Sequence, residues 1–193
     1  MPKLGEVIAA NTASFVGQCY ALHQPPELGS LVRASDGKVD VYGIVSSAET
    51  HSIEEGRRPI ARGAVESDED VFSTHPQLAS LLCTDFTAIV VGHRSDNGLC
   101  RYLPPRPARI HSFVHACESA ESKEFSASPG FLRMLVSDQT PWIDEVISAC
   151  LRRFSTAQDE PEAYLVSAGK ELAVLLGGDF TRLGNIMKRM KGQ

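Results

Sequence analysis

The chain carries no GxxxxGK[ST]. Its two Gly-Lys pairs, Gly37-Lys38 and Gly169-Lys170, lack both the upstream glycine and the following hydroxyl, so the phosphate cradle of a P-loop NTPase is missing. GxGxxG, GxSxG, HExxH and CxxC are absent too, which removes the recognisable dinucleotide, hydrolase and zinc signatures. The five cysteines, Cys19, Cys83, Cys100, Cys117 and Cys150, are odd in number and scattered. They make no disulfide framework, and four lie in apolar runs, where reduced thiols pack as small hydrophobes. No apolar stretch approaches the roughly 20 residues that span a bilayer, and residues 1–30 show no leader pattern. A soluble, cytoplasmic protein without membrane insertion is expected. The net charge of −5 disfavours non-specific attraction to nucleic acid or anionic lipid over the surface as a whole.

What the first 118 residues do contain is period-2 patterning. Gly29 to Ser47 reads as a hairpin: a strand from Leu31 to Arg33, a turn at Ser35-Asp36-Gly37, and a second strand through Val39, Val41, Tyr42, Ile44 and Val45. Leu31, Val41, Ile44 and Val45 are its predicted core. Upstream, Leu4 to Ala9 is a short apolar run. Ser14 to Leu22 follows as a strand with Phe15, Cys19 and Ala21 on one face and Val16, Tyr20 and Leu22 on the other, until Pro25-Pro26 stops it. Phe86 to Val91 alternates again, Asn97-Gly98 marks a tight turn, and Leu99 to Leu103 runs back. The prolines of residues 104–107 carry the chain across as an extended connection before a last strand, Arg109 to Cys117. His111 and His115 share a face of that strand. Four residues apart they stand about 13 Å from each other, too far for one metal ion, so no metal is expected there, and with the cofactor motifs missing no other cofactor is expected either.

Between Ser47 and Phe86 the pattern breaks into a polar loop holding Arg57, Arg58 and Arg62 beside Glu54 and Glu55. The guanidinium forks suit a phosphate or carboxylate; alternatively they pair with the neighbouring acids. An acidic cluster, Glu66 to Asp70, leads into a brief helix opened by His75-Pro76, a helical insertion near residues 69–82. The acids lack the glycine turn of a calcium loop and suit a helix N-terminal flank. Ser119 to Ser128 is small, polar and unpatterned and reads as a linker.

Beyond it the period becomes 3.6. Ser128-Pro129 starts one helix, with Phe131, Leu132, Leu135 and Val136 on one side. Thr140-Pro141 starts a second with a broad apolar face from Trp142 to Phe154, Pro161 a third ended by Gly177-Gly178, and Asp179 caps a fourth. The fourth carries Arg182, Lys188, Arg189 and Lys191 with no acid after Asp179. These cations either complement the helix C-terminus or dock a nucleic acid or acidic partner.

Gly5-Glu6-Val7-Ile8, the strand Phe15 to Leu22, Leu28-Gly29-Ser30-Leu31-Val32 and Tyr42-Gly43-Ile44-Val45 stand in an order that resembles the HAS barrel. That is the small β-barrel at the N-terminus of HerA-type DNA translocases and rotary ATP synthase head subunits. Phe86 through Val91-Gly92, Leu103-Pro104-Pro105 and Phe113-Val114 look like its later strands, so the resemblance covers roughly residues 4–117. It implies a barrel without catalytic residues that packs beside neighbouring barrels. Where that family continues into an ATPase, residues 129–193 read as a short helical array.

The expectation is therefore an α+β protein. A small closed or partly open antiparallel β-barrel (1–118) and a linker (119–128) precede a C-terminal helical domain (129–193). Function is expected to be non-enzymatic, docking onto other barrels, a partner ATPase complex or itself. The alternative is an accessory nucleic-acid-processing factor binding through Arg57, Arg58, Arg62, Arg182, Lys188, Arg189 or Lys191.

Overall fold

A computed structural model describes residues 3–54, 56, 58–61, 72 and 76–190. Among them seven strands, β1 (Lys3–Ala10), β2 (Ser14–Cys19), β3 (Leu31–Ser35), β4 (Asp40–Ser52), β5 (Leu82–Ser95), β6 (Gly98–Cys100) and β7 (Phe113–Ala116), precede the C-terminal helices. β2 pairs with β1 and with β5, and β7 with β1 and β3, all antiparallel. The order β1-β2-β5-β4-β3-β7 thus closes on itself into a six-stranded barrel, with β6 appended to the far end of β5.

Alternation sorts the side chains into two cores. Val7, Phe15, Cys19, Val32, Ala34, Val41, Val45, Phe86, Ala88, Val90 and Val114 fill the barrel. Leu31, Tyr42, Ile44, Ile89 and Val91 point outward and join the helices in a second cluster. The four residues chosen as core from sequence are all buried. Gly43 belongs to the interior set: a Cβ there would stand 2.8 Å from both Ala88 and the Phe15 ring. Gly29 has φ 76° and its missing side chain would meet the backbone at Cys150 in the C-terminal helices, so the turn into β3 and the helix layer touch only because no Cβ intervenes.

The strands depart from the sequence reading at their ends. β4 continues through Ala48–Ser52, where the polar loop was expected, because its pairing with β5 runs on from Ala48↔Phe86 to Ser52↔Leu82. The return strand after Asn97-Gly98 is only three residues. The last strand is Phe113–Ala116. His111 instead sits at φ 65° in a turn closed by Ser112 N–H donating to the Arg109 carbonyl. The short insertion is a 3₁₀ helix, Pro76–Leu81; the acidic cluster Glu66–Asp70 and His75 lie outside the described residues.

The segment expected to be a linker is a helix, α1 (Ser119–Ser126). Its polar composition conceals one anchor. Phe125 is fully buried, with ring centroids 5.1 Å from Tyr42, 5.7 Å from Phe131 and 6.4 Å from Phe154. Arg101 donates to the Phe125 and Glu124 carbonyls at 2.6 Å, satisfying acceptors at the helix end. A 3₁₀ turn (Pro129–Phe131), α2 (Leu132–Ser137), α3 (Ile143–Thr156), α4 (Pro161–Leu175) and α5 (Phe180–Met190) complete the layer. α3 is the hub: Ile143, Val146, Ile147, Cys150, Leu151 and Phe154 are buried along it. Two large apolar side chains of the helical region turn outward. Trp142 is half exposed and donates through Nε1 to the Ser46 carbonyl at 2.9 Å, and Phe180 is exposed.

Phe125→Ala removes a ring that barrel and helices share, and should cost about 3–5 kcal/mol in chemical denaturation. A change within about 0.5 kcal/mol, the size expected of a surface position, would show that α1 is not part of the packed structure.

Candidate functional site

Of the basic residues singled out from sequence, Arg57, Arg62 and Lys191 lie outside the described residues. Arg58 is exposed and lines a shallow cleft of about 460 Å³ that also includes His51 and Glu54. Arg182 and Arg189 are held within the helix layer. Arg182 Nε and Nη2 both meet Asp144 Oδ1, at 2.9 and 2.8 Å, and Arg189 Nε meets Glu145 at 2.8 Å. Asp144 and Glu145 form the first turn of α3, so each pair also sets an acid at a helix N-terminus and, for Arg189, a base at a C-terminus. The Asp144 pairing and the Asp179 carboxylate keep the Arg182 guanidinium above its ordinary range. Lys188 is exposed. Arg182, Lys188 and Arg189 do not line the cleft that holds Arg58.

Two other features emerge. The first is the wall of β1, β2 and β7, which faces away from the helices, whose strand contacts concentrate on β4 and β5. Ile8, Tyr20, Ile110 and Phe113 are exposed on or beside it. Polar contacts order it: Lys3 Nζ lies 3.6 Å above the Phe113 ring, and Glu6 accepts from the Tyr20 hydroxyl at 2.7 Å and meets His111 Nδ1 at 2.9 Å. Those two hydrogen bonds, the Tyr20 one first, hold the Glu6 carboxyl below the usual carboxylate range. The same bond pushes the Tyr20 phenol up to about 12.

The second is a polar cluster where β4 and β5 extend beyond the barrel. His51 stands opposite Cys83 in the ladder, and Glu49 opposite Asp85, so all four share a face of the ribbon. His51 Nε2 lies 3.1 Å from Asp85 Oδ2 and 3.6 Å from Cys83 Sγ, which is also 3.7 Å from Nδ1. Nδ1 faces the Ser52 carbonyl at 3.0 Å, and Gln18 on β2 donates to Asp85 Oδ1 at 3.1 Å. Cys83 and Asp85 are buried, whereas His51 is exposed. The Ser52 and Asp85 hydrogen bonds raise the His51 pKa. Burial, together with the charges of Asp85 and Glu49, raises that of the Cys83 thiol. On the barrel interior nearby, burial and the Asp85 charge push the Cys19 thiol up to about 11.

This cluster is not a nucleophile triad. Asp85 takes Nε2 and the Ser52 carbonyl takes Nδ1, so neither imidazole nitrogen is aimed at the sulfur, and a thiol pushed upward is poorly activated. Sequence reading missed it because it placed His51 in a loop and began the strand only at Phe86, after Cys83 and Asp85. The only available signal was the alternate spacing of Cys83 and Asp85, which without β4 has no partner.

Compared with known proteins, the sequence matches no family model and no curated protein.

A double-mutant cycle on Asp144 and Arg182 should return a coupling of about 0.2–1 kcal/mol, the range of partly exposed pairs. Zero coupling would detach Arg182 from the helix layer and return it to the surface.

Proposed function

We propose that the chain is a non-enzymatic assembly module. Its helix-free barrel wall packs side by side with another barrel of the HAS type, and a second copy of this chain is the simplest occupant. One observation carries the reading: the buried strand residues that pack with the helices come from β3, β4 and β5, whereas Ile8, Tyr20, Ile110 and Phe113 are exposed on the opposite wall. Apolar side chains grouped on a monomer's surface and rimmed by polar ones favour burial against a partner. The wall bears both signs of charge, Lys3 with Glu6 and His111, so a two-fold related copy presents complementary groups. Closure of the barrel directs such contact through its face, since β1, β2 and β7 are each paired on both edges. The ordered resemblance of residues 4–117 to HAS barrels, which pack in this manner, agrees with it. A partner ATPase complex bearing such barrels is the other occupant of the same wall.

Light scattering on the purified chain should give a dimer or larger species that Ile110→Glu with Phe113→Glu converts to monomer without loss of helical or strand content. Both sites are exposed, so the double variant should fold. A wild-type chain that stays monomeric at every concentration reached, and captures no barrel-bearing protein, overturns the proposal.

A further inference from the structure

We infer that His51, Cys83 and Asp85 form a binding site for a thiophilic divalent cation of the zinc class, with one coordination position open to solvent. The donor set is one thiol, one imidazole and one carboxylate, whose ligand atoms all lie within 4.8 Å of one another. Mixed sulfur, nitrogen and oxygen donors suit zinc and disfavour magnesium and calcium, which take oxygen. The spacing agrees. An ion about 2.0–2.1 Å from nitrogen and oxygen and about 2.3 Å from sulfur implies, at tetrahedral angles, an N···O edge of about 3.3 Å and an S···N edge of about 3.6 Å. The corresponding separations here are 3.1 and 3.6 Å.

The groups behind the donors are arranged for the same task. With Nδ1–H donating to the Ser52 carbonyl, a neutral His51 aims the Nε2 lone pair at the Asp85 carboxylate. Two acceptors facing each other at that distance repel unless a positive charge lies between them: a proton on Nε2 or a metal ion. Gln18 donates to the far oxygen of Asp85, leaving Oδ2 for the ion, as outer hydrogen bonds commonly orient metal ligands. Cys83 Sγ is nearly equidistant from both ring nitrogens and so lies off the Nε2 lone-pair axis. Loading the site therefore requires a turn of the imidazole or of the Cys83 side chain. Binding releases the thiol proton and any Nε2 proton to solvent, and the thiolate and carboxylate together neutralise the ion. The open position lies on the exposed His51 side, where Glu49 and the cleft bearing Glu54 and Arg58 adjoin.

The test uses the full chain, chelator-treated and titrated with Co²⁺ and then Zn²⁺. One equivalent should bind, with a thiolate-to-cobalt charge-transfer band that zinc abolishes, and zinc should raise the melting temperature. Cys83→Ser should lose the band, His51→Gln should weaken binding at least tenfold, Gln18→Leu should weaken it tenfold to a hundredfold, and Cys100→Ser should leave all readouts unchanged. His51 is exposed, so its variant reports on the site even if Cys83→Ser proves unstable. Absence of the band in the wild type, or its persistence in Cys83→Ser, overturns the inference.

Discussion

Everything outside the barrel depends on how Tyr42 is satisfied. It lies on the outward face of β4, fully buried, so its ring must be covered by apolar groups while its hydroxyl finds partners in the same place. Phe125 of α1 covers the ring. Glu121, one turn earlier on α1, accepts from the hydroxyl at 2.8 Å, and Arg94 of β5 donates to it at 3.2 Å. Arg33 joins Asp40 at 2.9 Å and approaches Glu121, while Arg94 reaches Glu124 at 2.7 Å. Two of these contacts are hydrogen bonds to a buried group, and breaking either strands a polar atom away from water. Burial raises the Tyr42 pKa, so the phenol stays neutral and keeps its donor.

That arrangement makes the barrel two-sided. On the β3–β5 side the outward residues Leu31, Ile44, Ile89 and Val91 belong to a core they share with α1 to α5. On the β1, β2 and β7 side the outward residues meet solvent. The polar ribbon at the end of β4 and β5 belongs to neither wall. It lies at the base of the connection between Ser52 and Leu82, and a cation held there would tie together the two strand ends that this connection joins.

The barrel strands and the four later helices were legible because each repeats apolar residues over several turns or alternations: Val41 to Val45 and Ile143 to Phe154 could hardly be read otherwise. α1 was not, because a single phenylalanine among serines and acids makes no periodicity; tertiary contact with Tyr42 supplies the stability that local pattern lacks. The polar ends of β4 and β5 were lost for a similar reason. Thr50 and Thr84, whose hydroxyls meet at 2.8 Å, occupy the face opposite His51 and Cys83. Both faces of this part of the ribbon are therefore polar, and the alternation that marks a half-buried strand is missing. The candidate cation site needed both strand ends and their register, so it became visible only with the fold. The basic residues were legible as charges, but not the carboxylates on α3 that Arg182 and Arg189 meet.

The barrel's closure constrains the order in which the chain can acquire its structure. The β1–β2 and β3–β4 hairpins join neighbours in sequence, but β1 and β3 each await β7, which ends at Ala116. During synthesis, the residues through Ala116 must emerge before the ring can close. Until then β1 and β3 offer unpaired edges, and the outward apolar residues of β3 to β5 await helices made later still. Pairings so distant in sequence make ring closure a slow step, and this is the interval in which the nascent chain is most exposed to wrong partners.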